Sequence, residues 1–86
     1  MGLITVIKAE YKQDFKLFLE FNDGLTGIVD LNKYLDGEIF EPLKNLDYFK
    51  KFSLDSWTIG WDNGADFAPE FLYELTKKEN YEMLIE

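Results

Sequence analysis

The chain has 86 residues, enough for one packed core and too few for two. An apolar fraction of 47%, with 17% aromatic residues, excludes a disordered chain, and 30% charged residues is ordinary for a water-facing surface. The balance of 17 acidic against 9 basic side chains leaves a formal charge of -8, and every basic residue is a lysine. Direct nucleic-acid binding is disfavoured, because phosphate contacts need clustered cations and base edges are best read by the arginine fork. The same field repels anionic membranes and favours a partner that carries basic charge.

Cysteine and histidine are both absent. Disulfides, thiolate metal sites, Cys or Ser–His nucleophiles and imidazole acid–base chemistry are therefore excluded. No run of 18 apolar residues suits a membrane span. The stretch from Met1 to Glu10 is interrupted by Lys8 and has no small-residue cleavage site, so no signal peptide is expected. No linker composition and no repeat of 20 to 50 residues divides the chain, so residues 1–86 read as a single domain of a cytoplasmic, bacterial-type protein.

In chain order, Leu3 to Glu10 is β-branched and predicts a strand, followed by a polar break over Tyr11 to Asp14. From Phe15 to Phe21 the two-residue period puts Phe15, Leu17, Leu19 and Phe21 on one face and Phe18 between Lys16 and Glu20 on the other. Asn22-Asp23-Gly24 is a hairpin turn, since Asn, Asp and Gly accept a positive φ. Leu25 to Asp30 returns antiparallel, with Gly27 marking a bulge or bend. These three strands form a meander.

Asp30 is a candidate cap for a single helical turn through Leu35, closed by Asp36-Gly37. Phe40 to Leu43 is expected to be extended or turn-like because of Pro42. A short helix from Leu46 to Phe52 is capped by Asn45, with Leu46, Phe49 and Lys50 on one face. Trp57, Ile59 and Trp61 then share a strand face, and Asp62 to Asp66 forms a second turn, with Asp66 placed to cap the next helix. Pro69 opens that helix, which carries Phe71, Leu72 and Leu75 at helical spacing to about Lys78; Glu79 to Glu86 either extends it or frays. The fold class is α+β: a three-stranded antiparallel meander, a short helix, further strands and a closing C-terminal helix.

The order of motifs resembles the small bacterial family known as domain of unknown function (DUF) 2442. The resemblance rests on Phe21-Asn22-Asp23-Gly24, on Gly27-Ile28-Val29-Asp30-Leu31, on Phe49, and on the run from Ile59 to Tyr73 that contains Trp61-Asp62-Asn63-Gly64 and Pro69-Glu70. It spans about Leu3 to Glu74 and implies the same α+β arrangement. Some members of that family are joined to a helix-turn-helix DNA-binding unit. Many of its genes neighbour a second uncharacterised family, DUF 4160, which implies a toxin–antitoxin type of pairing.

Asp62, Asn63, Asp66 and Glu70 form the densest oxygen cluster, yet their spacing does not fit the calcium-loop pattern, so no metal is expected. Asp62 with Asp66, and Asp23 with Asp30, are the carboxylate pairs available for hydrolysis, but each position has a turn or cap explanation, and no catalytic or cofactor-binding residue is assigned. Lys8, Lys12 and Lys16 belong to solvated strand faces or edges. Trp57, Trp61, Phe71 and Tyr73 either line a pocket or partner-binding face or, the reading a chain this short favours, belong to the core; a mixed case buries one face and leaves Trp61 partly exposed beside the acids.

The expected function is that of a non-enzymatic protein-interaction domain, the acidic, antitoxin-like partner of a small basic protein. Its expected contact surface is Trp61, Asp62, Asn63, Asp66, Glu70 and Tyr73. The alternative is a small-molecule-responsive regulatory domain related to those joined to DNA-binding units. A monomer and a homodimer both fit, the latter by pairing an edge of the meander.

Overall fold

The computed structural model describes residues 2–84; the expectation for residues 85 and 86 lies outside them. Strands β1 (Val6–Gln13), β2 (Lys16–Phe21) and β3 (Thr26–Asp30) form an antiparallel sheet in that order. β1 begins later and runs further than expected, through the polar Tyr11-Lys12-Gln13, because those residues pair with Leu17 and Lys16 across a tight turn. Asp14 takes that turn at a φ of 49°. Two register shifts, between Val6 and Lys8 and between Tyr11 and Gln13, bend β1.

The β2 alternation is as the period predicts. Leu17, Leu19 and Phe21 are fully buried, whereas Phe18 is half-buried on the opposite face, beneath the Lys12 ammonium at 5.8 Å from the ring centroid. At the β2–β3 turn the N–H of Phe21 donates to the Leu25 carbonyl at 2.8 Å, the N–H of Gly24 donates to the Phe21 carbonyl at 2.9 Å, and Gly24 has a φ of 96°. This is the hairpin expected from Asn22-Asp23-Gly24.

Gly27 is no bulge: the β2–β3 register is continuous, with Gly27 opposite Leu19. The glycine lets helix α2 (Pro69–Leu84) approach the sheet. A Cβ there would lie 2.7 Å from Asn80 Oδ1 and 2.8 Å from Thr76 Cγ2. Asn80 also donates from Nδ2 to the Thr26 carbonyl at 3.0 Å, stitching the helix to the strand.

Between sheet and helix the chain makes two 3₁₀ turns, Asn32–Tyr34 and Glu38–Lys44, then α1 (Leu46–Phe49). The second takes the turn-like of the two forms expected around Phe40 to Leu43, and Pro42 is accommodated because a 3₁₀ turn asks few N–H groups to donate. Asp30 does not cap the first: its Oδ1 accepts from the N–H of Asn32 two residues on. Asn45 does cap α1, accepting from the N–H groups of Asp47 and Tyr48, but the helix stops at Phe49. Two short strands follow, β4 (Ser53–Leu54) and β5 (Ile59–Gly60), paired antiparallel. Thr58, Ile59 and Trp61 are buried while Trp57 is exposed, so the face expected to join Trp57 with Trp61 is broken.

A file of aromatic rings runs through the core to the surface. Phe49, fully buried, meets Phe15 at 5.2 Å and Trp61 at 5.7 Å between centroids; Trp61 meets Phe67 at 6.0 Å; Phe67 stacks on Phe71 at 5.8 Å; Phe71 meets Tyr34 at 5.1 Å. Burial of these rings, at roughly 25 cal/mol per Å² of apolar surface, is the main term holding the small strands to the helix.

Candidate functional site

The turn from Trp61 to Ala65 repeats the chemistry of the first hairpin. The N–H of Trp61 donates to the Ala65 carbonyl at 2.9 Å, the N–H of Gly64 donates to the Trp61 carbonyl at 3.1 Å, and Asn63 Oδ1 accepts from the N–H of Ala65 at 3.0 Å. In the earlier turn Asp23 Oδ1 accepts from the N–H of Leu25, also at 3.0 Å. Gly64, with a φ of 92°, takes the left-handed position that Gly24 takes in the first.

The six candidate contact residues separate into two groups. Trp61 is buried, 5% exposed, and its Nε1 donates to the Phe49 carbonyl at 2.9 Å, which corrects the expectation that it lies partly open beside the acids. A ring this large next to Phe49 and Phe67 gains more by burial than by facing water. Asp62 accepts from the phenol of Tyr48, which lifts that phenol above its usual range. Asn63 donates from Nδ2 to the Ile39 carbonyl at 2.9 Å. These two therefore fasten the turn to α1 and to the second 3₁₀ turn. Tyr73 lies edge-on against Phe21 and donates to Asp23, joining α2 to the first hairpin.

Asp66 and Glu70 remain open. Both are exposed, and among the described residues neither belongs to an ion pair; the four pairs seen are Lys8–Glu10, Lys12–Glu10, Lys44–Glu41 and Lys77–Glu74. Asp66 bridges to Gly60, and the residue preceding α2 is Ala68, whose carbonyl accepts from the N–H of Leu72. Asp66 is thus not the helix cap.

Each open carboxylate borders an open hollow. Asp66 lies with Asp36, Tyr34, Phe40, Phe67 and Phe71 around one of about 330 Å³, where the aromatic file reaches the surface. Lys33 also borders it. Glu70 lies with Leu3, Ile4, Thr5, Trp57 and Pro69 around another of about 220 Å³. The segment from Asp66 to Phe71 divides the two. Trp57, 57% exposed, is the aromatic residue that the reading of the sequence placed in the core. What separates it from Trp61 is its setting: Trp61 packs between Phe49 and Phe67, whereas Trp57 follows the polar Asp55-Ser56 and lies outside the two-residue strand Ile59–Gly60.

Among the described residues no helix is long and apolar enough to cross a membrane, and no group of three acidic side chains is placed to hold a metal ion. Asp62 and Asp66, a possible hydrolytic pair by sequence, have different surroundings, one bonded to a tyrosine and one at the rim of an aromatic hollow.

A three-stranded meander, a second two-stranded sheet and a closing helix define an α+β domain. The chain belongs to the family described as protein of unknown function (DUF2442), whose sequence model matches residues 6–78, from the first residue of β1 into the third turn of α2. Neither the curated proteins nor the solved structures contain a match.

Proposed function

We propose that this domain is a non-enzymatic protein-interaction module that contacts a small basic partner through the segment from Asp66 to Phe71. The observation that supports the reading is the pair of open carboxylates, Asp66 and Glu70, each set at the rim of an aromatic-lined hollow and each without an internal cation among the described residues. Interfaces combine such apolar, aromatic centres with a polar rim. A formal charge of -8 steers a basic partner toward them. An antitoxin-like pairing is the form of this reading that family gene context favours. The absence of histidine and cysteine supports the non-enzymatic part.

Substitution tests the surface cleanly because the acids have separable roles. D66N combined with E70Q is expected to weaken the partner while leaving the melting temperature unchanged. D62N is expected to do the reverse, since Asp62 holds Tyr48. Unchanged affinity in the D66N/E70Q protein would refute the assignment.

A second reading, a small-molecule-responsive regulatory domain, draws on a different place. Along the sheet, Lys12, Gln13, Lys16, Ile28 and Asp30 border, with Glu79 of α2, a hollow of about 490 Å³, large enough for a small metabolite. A rise in melting temperature with a carboxylate metabolite, lost in K12Q/K16Q, would favour it.

A further inference from the structure

The two tryptophans differ in a way the core does not require. Trp57 presents 57% of its surface to water although the backbone on both sides is held. Its carbonyl accepts from the N–H of Val6 at 2.9 Å; the next residue, Thr58, is buried and donates from Oγ1 to the Phe67 carbonyl at 2.6 Å; and the N–H of Asp55 donates to the Thr58 carbonyl at 2.7 Å. The indole is therefore exposed on a fixed scaffold. A tryptophan left open in this way forgoes more than half of the roughly 150 to 250 Å² that a buried aromatic removes from water, a large loss for a domain this small.

Around it the surface is prepared for one kind of group. Leu3, Ile4 and Pro69 supply the apolar sides of the groove, Leu3 being 74% exposed, and among the described residues Glu70 is the one charged side chain on its lining. No lysine lines it. A flat cation with an apolar stem satisfies each wall at once. A guanidinium stacks on an indole face, is weakly hydrated, and takes a carboxylate through two parallel N–H donors, while its methylene stem covers aliphatic surface. A lysine ammonium is a compact, strongly hydrated charge and matches the planar wall less well.

We propose that the groove between Trp57 and Glu70 receives an arginine side chain from a basic segment of a protein partner. The guanidinium lies over the Trp57 indole and pairs with the Glu70 carboxylate. The inference rests on the basic-partner reading above and names the residue of that partner that anchors it. It also gives Trp57 the central, energetically dominant place that buried aromatic–arginine contacts hold in interfaces.

The test is amide and indole NMR of the full chain during titration with an acetylated, amidated pentapeptide carrying two arginines around a leucine. The same peptide with glutamines in place of arginines is the control. The Trp57 indole N–H is assigned from W57F, and that of Trp61 is marked by its bond to Phe49. Saturable shifts of the Trp57 indole and of Glu70 with the arginine peptide are expected, about tenfold weaker with the glutamine peptide and in E70Q. Equal binding of both peptides, or unchanged binding in E70Q, would overturn the proposal. Shifts at Asp66 and Phe71 with a silent Trp57 would overturn it while leaving the basic-partner reading intact. Silence at both surfaces would count against both.

Discussion

Tyr73, on the closing helix, donates its phenolic hydrogen bond to Asp23 in the first hairpin, 50 residues earlier. The second hairpin-like turn is fastened in the same manner, with Tyr48 of α1 donating to Asp62. Two turns of equivalent hydrogen bonding are thus each held by a tyrosine from a helix, which fixes both ends of a domain whose second sheet has only two-residue strands.

The Tyr73–Asp23 contact makes stability depend on pH at both extremes. The phenol, followed by the N–H of Leu25, holds the Asp23 carboxyl below its usual 3.8, and the same bond raises Tyr73 above 10.0. A lowered carboxyl contributes stability above its unfolded value and loses it as the pH falls through the folded one; a raised phenol contributes below its unfolded value and loses it as the pH rises through the folded one. Y73F is therefore expected to melt below the wild type at neutral pH, and the gap should narrow below about pH 3.8 and above about pH 10. Thermal melts across pH measure it, and parallel curves would refute it.

Gly27 is where the sheet meets Thr76 and Asn80 of the helix without room for a side chain. A methyl group there meets Thr76 Cγ2 at 2.8 Å, and Thr76 is buried with its Oγ1 donating to the Leu72 carbonyl, so it cannot swing away freely. G27A is expected to lose about 1 to 3 kcal/mol in urea unfolding. Combining it with N80A relieves the contact at 2.7 Å but also removes the bond to the Thr26 carbonyl, so the double variant should lose less than the sum of the two single losses.

The tryptophans should report oppositely. W61F leaves the Phe49 carbonyl without the Nε1 donor and is expected to cost about 1 to 3 kcal/mol. W57F exchanges an exposed indole for a smaller phenyl ring and should stay within about 0.5 kcal/mol of the wild type. Acrylamide should quench the Trp57 emission that remains in W61F and spare the Trp61 emission that remains in W57F.

The meander, the two Gly turns, the Asn45 cap and the start of α2 at Pro69 were legible because each rests on local chemistry: period two, positive φ, a side-chain acceptor, a missing N–H. What stayed hidden depends on distant partners. Gly27 looks like a bulge until Thr76 and Asn80 are placed against it. Asp62 and Asn63 look free until Tyr48 and Ile39 reach them. Trp57 and Trp61 alternate correctly for one strand face, but the strand is only Ile59–Gly60, so the period does not extend to Trp57.

Capture on immobilised wild-type and D66N/E70Q protein, from native cytosol at about 0.1 M and about 1 M salt, tests the central claim most directly, because the Debye length falls from about 10 to about 3 Å over that range. The account predicts a small basic protein that the wild type retains at the lower salt, releases at the higher, and that the variant fails to retain at either. A partner held equally by both proteins, or held unchanged at high salt, would contradict it.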